Sequence, residues 1–343
     1  MSRKSRRKKF IRKPKETEAQ KKARAKRSLI IICSVIVSIV AAVVVSYLVT
    51  QNSKLSSIEL FEKKAGLLME QVVSGTRDSE LSGEIEDGLP KGVVFISICN
   101  GDERAKVFTG TGSTKQAAWD DAYSKAHSFV EENSYNCLWV KADLMGEAKT
   151  MSIDEFSTEL AHYRHEFFRK GISFDKDFNT ALLEAELNAG KILDYDEECV
   201  NTTYLRNYLS KSDGTPIVTL PDQYVIFNCI GWICDEDSKV YDLISDDADY
   251  GRRKVDLIDK DYAAELVKNA SLFLIDQVND DGSFVYGMYP RFDRNIDNYN
   301  IVRHASTLWS LVCQYRMTGN EELVSVIDKA IDYMIDTAVI SID

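Results

Sequence analysis

Gly92-Val93-Val94-Phe95-Ile96-Ser97-Ile98-Cys99 is a run of residues typical of a β-strand, and Asn100-Gly101 directly after it is a strong tight-turn signal. Over residues 104–109, polar residues alternate with small or apolar ones, which predicts the second strand of a β-hairpin. Apolar residues at helical spacing follow, and residues 137–144 predict a further strand. Together these segments predict a β-β-α-β unit of α+β type, and we assign it to a small domain over residues 92–150.

Gly110-Thr111-Gly112 lies between the predicted hairpin and the predicted helix. Glycines at a helix start can let backbone amides approach an anion such as phosphate. Neither the Lys-Ser/Thr pair of a P-loop nor a third glycine at dinucleotide-binding spacing is present. A plain strand-to-helix turn is therefore the preferred interpretation.

Residues 28–49 form an uncharged apolar run behind a basic leader, residues 1–27. About 20 apolar residues in a helix cross a hydrocarbon core of roughly 30 Å. The leader holds fourteen Lys or Arg against two Glu, a net charge of +12, which favours a cytoplasmic amino terminus. The sequence therefore predicts a single transmembrane helix. A cleaved signal peptide is the competing interpretation, although its apolar core usually has only about 7 to 15 residues.

The net charge of the whole chain is −11, so the part after the leader carries −23. This acidic body has the wrong sign for nucleic acid, which we exclude as a partner. The predicted location is the plasma membrane, with the bulk of the chain extracytoplasmic, as in an envelope protein of bacterial type. Membrane lipids are the predicted partners of residues 28–49 and of the leader, and a cell-surface polysaccharide or an envelope protein is a further candidate partner.

A helix and a linker are predicted over residues 50–91, and a mainly helical domain over residues 151–343. One of its predicted helices spans Thr180–Gly190. On that helix Glu184 and Glu186 would lie about 200° apart, so they could not both face one pocket.

The histidines and cysteines of the sequence form no recognised metal-binding or cofactor-binding motif. His162 and His165 have a spacing that could hold a metal, but no His-Glu-x-x-His motif accompanies them. Six cysteines lie outside residues 28–49, where disulfides could form: Cys99, Cys137, Cys199, Cys229, Cys234 and Cys313. Cys229 and Cys234 flank an apolar segment, so for these two we prefer buried free thiols over a disulfide, with a zinc site as the remote alternative.

The carboxyl-terminal part carries three short motifs: Asp281-Gly282-Ser283-Phe284, Tyr299-Asn300-Ile301-Val302-Arg303-His304 and Thr318-Gly319-Asn320. With these motifs, residues 260–338 resemble the repeat unit of the helical (α/α) toroids of glycan-processing enzymes and terpenoid-cyclase-like proteins. The resemblance implies an inner helix that points its first turn into a central cavity, followed by an outer helix. A complete toroid has about six helix pairs, so we expect an incomplete one here.

Candidate catalytic residues lie at the start of that inner helix. Arg303 could hold a carboxylate or phosphate, His304 could transfer a proton, and Asp297 could act as a base. The structural alternative is that Asp297 caps the helix, Arg303 pairs with an acid and His304 donates to a backbone carbonyl. The predicted binding residues are Asp281, Tyr286, Tyr299 and Asn300.

The sequence thus predicts an α+β protein with one transmembrane helix, a small β-β-α-β domain and a mainly helical domain resembling part of an (α/α) toroid. Two functions remain open. The first is an anchored binding or scaffold protein of the cell envelope, favoured because the sequence shows no nucleophile-base signature. The second is a hydrolase-like glycan-processing enzyme with its cavity near Arg303 and His304.

Overall fold

The protein has an α+β fold built on one curled sheet. The structure is a computed structural model, and it describes residues 56–81, 83–165, 167–211, 219–245, 248–255, 257–289 and 294–339. Helices and strands are numbered in chain order within these ranges.

The predicted β-β-α-β unit is confirmed. Strands β1 and β2 pair antiparallel from Gly92↔Gly112 to Ile98↔Lys106, and β1 pairs on its other side with β3. All but the last residue of β1 are buried, which suits a central strand with apolar side chains on both faces. The elements are α1 (Ser57–Ser74), β1 (Gly92–Cys99), β2 (Lys106–Gly112), α2 (Lys115–Asn133) and β3 (Trp139–Ser152).

The prediction of a mainly helical domain over residues 151–343 is wrong, because the sheet continues past β3. The long strand β8 pairs with β3 from Val140↔Cys234 to Ser152↔Gln223, and the strand order is β2-β1-β3-β8-β4-β5 with β9 beside β8. The further elements are α3 (Ile153–Leu160), β4 (Gly171–Ser173), β5 (Ala181–Leu182), α4 (Glu184–Ala189), β6 (Leu193–Asp194), β7 (Cys199–Val200), α5 (Thr202–Lys211), β8 (Gln223–Cys234) and β9 (Val240–Asp242).

The sheet curls into a half-barrel. Its inner face is lined by apolar side chains of the central strands, such as Phe95 and Phe227, whose rings stack at 5.3 Å. Val107 of β2 and Ala181 of β5 pack against the same cluster, although these two strands are the opposite edges of the sheet. The two edges therefore approach each other across the inside of the half-barrel.

Helices cover the outer face of the half-barrel in two groups. Helices α1 and α2 pack against one part of it, in a core that includes Ile96 and Trp232. Helices α3, α4 and α5 pack against the other part, around Tyr224 and Ile226 of β8. Alternate residues of β8 thus point to the inner and outer faces, as the two-residue period of a strand requires.

The edge of β2 is protected by side chains of α2. Asp121 accepts a hydrogen bond from the N–H of Thr111 at 3.0 Å, and Lys125 donates to the carbonyl of Thr109 at 2.8 Å. These contacts satisfy backbone groups that would otherwise be open to strand pairing. The Gly110-Thr111-Gly112 segment forms the end of β2 and packs directly on α2.

The carboxyl-terminal part forms a helical unit with a core of its own, which includes Leu308, Leu311 and Ile327. The predicted helices on both sides of the Asp281-Gly282 loop are confirmed, as is the helix end at Gly319, which adopts a left-handed conformation. The toroid resemblance stays a prediction, because three helices fit a piece of a toroid and other helical units alike. The elements are α6 (Lys260–Asp276), β10 (Met288–Tyr289), β11 (Arg294–Asn295), α7 (Ile301–Thr318) and α8 (Glu322–Ala338).

Across the described ranges, every helix is too short or too polar to cross a bilayer. The predicted transmembrane architecture and plasma-membrane location are therefore corrected for this part of the chain. The apolar run at residues 28–49 and the basic leader at residues 1–27, on which they depended, lie outside the described residues.

Candidate functional site

The loop before α7 is held against α8. Asp281 Oδ1 accepts hydrogen bonds from the backbone N–H and the hydroxyl of Ser283, at 2.9 and 2.7 Å, and these bonds lower the pKa of the Asp281 carboxyl. Gly282 has φ +85°, and a Cβ there would lie 2.1 Å from the carbonyl oxygen of Lys329. Only glycine allows so close an approach, so Asp281 and Gly282 together dock the loop on α8.

His304, the predicted proton-transfer residue, is 2% exposed and has both ring nitrogens engaged. Its Nε2 lies 2.8 Å from the carbonyl oxygen of Ala330, to which it donates, and its Nδ1 accepts from the hydroxyl of Tyr299 at 2.7 Å. The Tyr299 oxygen in turn accepts from the N–H of Phe284 at 2.8 Å. A carbonyl can only accept, so the contact with Ala330 requires a proton on Nε2.

The structure brings four of the predicted residues together in a row, which consists of the Arg303 guanidinium and three aromatic rings. Arg303 lies over the ring of Tyr286 at 5.2 Å, Tyr286 contacts Tyr299 at 5.9 Å, and Tyr299 contacts His304 at 5.9 Å. The guanidinium is thus held by a cation–π contact at the exposed end of the row.

The other two predicted residues at this helix start differ in role. Asn300 caps α7, because its Oδ1 accepts from the N–H of Val302 at 2.9 Å and from the N–H of Arg303 at 3.3 Å. Asp297, for which capping was the structural alternative, is exposed. Catalytic roles for Asp297, Arg303 and His304 stay predictions. The geometry places His304 in a structural network and Arg303 at the surface.

Helix α7 exposes a stripe of large apolar side chains, which we call the α7 stripe. It consists of Val302, Trp309 and Met317, which are 73%, 62% and 68% exposed. At 100° per residue these positions fall within about 80° of the helix circumference. Three large apolar side chains on one exposed face make this face a candidate contact surface.

Two arginines flank the α7 stripe. On the helical wheel Arg316 lies beside Trp309, and Arg303 lies on the opposite side, beyond Met317. The sequence of α7 contains no Asp or Glu. The stripe therefore combines an apolar centre with positive charge on both sides, although the chain as a whole is acidic.

A second group of polar side chains lies inside the half-barrel, and the sequence analysis singled out only its Glu184 and Glu186. Lys141 and Asp143 of β3 form an ion pair at 2.8 Å on the inner face. Glu186 accepts from the hydroxyl of Tyr208 at 2.6 Å, and Glu184 pairs with Arg169. These residues are far apart in the chain, and only the pairing of β3 with β8 and the placement of α4 bring them together.

Burial controls the ionisation of this group. It raises the pKa of the Asp143 and Glu186 carboxyls, and hydrogen bonds from Lys141 and Tyr208 oppose it only in part. Burial alone would lower the pKa of Lys141, but Asp143 beside it raises that pKa. Burial also raises the pKa of the Cys229 thiol on the inner face. A positive charge near Asp143 or Glu186 would therefore stabilise the ionised form of its carboxyl group.

All six cysteines within the described ranges are free thiols, and Cys229 and Cys234 are buried, as preferred for these two from the sequence. Over the same ranges, no three His, Cys, Asp or Glu side chains form a group that could hold a metal ion. No protein-family model matches this chain, and a search of curated proteins finds no match.

Proposed function

We propose that the protein is a binding or scaffold protein that holds an amphipathic α-helix of a partner protein on the α7 stripe. The observation that carries the proposal is the exposed row of Val302, Trp309 and Met317 between two arginines. A partner helix would lay its own apolar face on this row, as in helix-in-groove recognition.

Charge selects the kind of partner helix. Arg303 and Arg316 on the two sides of the stripe favour a helix with Asp or Glu beside its apolar face. Trp309 is the expected centre of the contact, because exposed tryptophans that become fully covered contribute most to binding. The arginines would chiefly set the association rate and its dependence on salt.

Binding is favoured over the glycan-processing alternative by the state of His304. Proton transfer to a bound sugar would require the imidazole to give up its hydrogen bond to Ala330 or to Tyr299. It would also have to leave a site where it is almost fully covered. A binding function needs neither change.

Two synthetic helical peptides with the same leucine stripe, one flanked by Glu and one by Lys, test the proposal by fluorescence anisotropy. We expect the Glu peptide to bind more tightly, with an advantage that shrinks as salt is added. Trp309→Ala should cost about 2 kcal/mol, roughly a thirty-fold loss of affinity.

Met69→Ala is the matched control, because Met69 is an exposed apolar residue of α1, away from the stripe. It should leave the affinity unchanged. Equal binding of both peptides, or equal losses in the two variants, would refute the proposal.

A further inference from the structure

A cavity of about 280 Å³ lies where the two edges of the half-barrel approach each other. Strand β2 contributes Val107 and Thr109 to its lining, and β5 contributes Ala181 and Leu182. Because the sheet does not close between these edges, the cavity occupies the place that further strand pairing would fill in a complete barrel.

One end of the cavity is polar, since Glu186 and Tyr208 line it. The Glu186 carboxylate accepts from the Tyr208 hydroxyl at 2.6 Å and from the N–H of Leu183 at 2.7 Å. These two donors fix the carboxylate at the cavity wall. Each of its oxygens has further lone-pair capacity for a ligand.

Ionisable side chains of both signs lie behind this end. The interior cluster, defined here by its five ionisable side chains, has three carboxylates and two cations: Asp143, Glu184, Glu186, Lys141 and Arg169. Arg104 adds a third positive charge at this end, because its guanidinium lies 5.0 Å from the centre of the Tyr208 ring. Asp143 Oδ2 is buried and has no hydrogen-bond partner among the described residues. A buried acceptor without a partner is costly, so an added positive charge nearby would stabilise the cluster.

Most of the remaining wall is apolar, and Thr109, Asn179 and Thr180 are its uncharged polar members. Phe108, Phe129 and Leu209 line the cavity together with Val107 and Leu182. Lys106 also lies at the wall, but its ammonium pairs with Glu103 at 3.9 Å. A ligand that fits would therefore combine a hydrocarbon body with one positively charged head.

We propose that this cavity binds a small aliphatic amine as its ammonium form, with the ammonium on the Glu186 carboxylate and the alkyl chain against Phe108, Phe129 and Leu209. A cavity mostly lined by apolar groups with a few convergent polar ones is the usual form of a small-molecule site. An ammonium on a carboxylate makes a charge-assisted hydrogen bond, roughly twice as strong as a neutral one. The site is separate from the α7 stripe and does not depend on it.

n-Butylammonium and n-butanol, titrated separately and followed by NMR chemical shifts, test the site. The two probes share an alkyl chain and differ in the charge of the head. We expect shifts at Val107 and Leu182, and affinity for the amine at least about ten-fold above that for the alcohol. Equal affinities, or no binding of the amine at millimolar concentration, overturn the proposal.

Glu186→Gln separates charge from shape, because glutamine keeps an acceptor for the Leu183 N–H. It should remove most of the preference for the amine while the circular dichroism spectrum is retained. Ala181→Phe fills the cavity and should weaken both probes at least about ten-fold. Glu70→Gln, an exposed change on α1, should alter neither. Unchanged amine preference in Glu186→Gln, or unchanged binding in Ala181→Phe, overturns the proposal.

Discussion

At His304, one imidazole joins three segments of the helical unit. The residue itself belongs to α7, its Nε2 reaches the carbonyl of Ala330 on α8, and Tyr299 links its Nδ1 to the loop at Phe284. Every polar atom of this hydrogen-bonded chain has a partner, and Tyr333 stacks on the ring at 5.3 Å. A satisfied buried network of this kind holds its parts in one arrangement.

His304→Ala should lower the free energy of unfolding of the helical unit by about 3 kcal/mol. The change removes a buried ring and leaves the carbonyl of Ala330 and the hydroxyl of Tyr299 without their partner. Urea unfolding followed by circular dichroism measures it. His165→Ala is the control, because the His165 side chain is 68% exposed, and we expect a change within about 0.5 kcal/mol. Similar values for the two variants would contradict the structural role.

Only some residues of the candidate site could be predicted from the sequence. The helix start and its neighbours Tyr299, Asn300 and His304 could be recognised, because the capping and apolar patterns there are local. The roles of Glu184 and Glu186 could not be predicted from the sequence. Residues 181–182 form a strand, so Glu184 begins α4, and the buried Glu184 and the half-buried Glu186 both lie near Lys141 and Asp143.

At the scale of elements, strand β2 and helix α2 pack so closely at Gly110 that no side chain larger than hydrogen fits there. A Cβ on Gly110 would lie 2.1 Å from the carbonyl oxygen of Ala118 and 2.3 Å from the N of Ala122, both backbone atoms of α2. This approach also brings Asp121 and Lys125 within reach of the β2 backbone. Glycine in β2 therefore serves the packing of the hairpin on its helix.

Gly110→Ala should lower the free energy of unfolding by about 1–3 kcal/mol, because the methyl group would push α2 away from β2. Gly66→Ala is a matched change with the opposite expected sign. Gly66 lies inside α1, where an added methyl group would have no atom within 4 Å, and alanine favours a helix over glycine by about 0.5–1 kcal/mol. Thermal and urea unfolding of both variants measure the two effects. Destabilisation by both, or by neither, would contradict this account of Gly110.

Elements that depend on neighbours in the chain were predictable, and those that depend on distant pairing were not. The hairpin, α2 and the last three helices follow from turn residues and periodicity. Strands β4 and β5 have only three and two residues, and they exist because β8 offers an edge to β4 and β4 offers one to β5. Long-range pairing of this kind overrides local helix propensity, which had predicted a helix over Thr180–Gly190.

Over the whole molecule, apolar side chains collect in two places. Three clusters lie on the two faces of the half-barrel, and a fourth lies within the helical unit between α6, α7 and α8. The fourth shares no residue with the others. Since cooperative unfolding follows shared buried contacts, the half-barrel and the helical unit should open separately.

Leu311→Ala and Leu144→Ala form a reciprocal pair that tests this independence. Leu311 is fully buried in the helical unit, and Leu144 is 2% exposed in the half-barrel. Each change should cost about 3 kcal/mol in its own unit, which speeds amide hydrogen exchange there by a factor on the order of a hundred. Exchange measured by mass spectrometry should rise in α7 and α8 for Leu311→Ala, and in β1 and β3 for Leu144→Ala. If either variant speeds exchange equally in both units, the chain unfolds as one cooperative body, and a partner held on the α7 stripe would then stabilise the half-barrel as well.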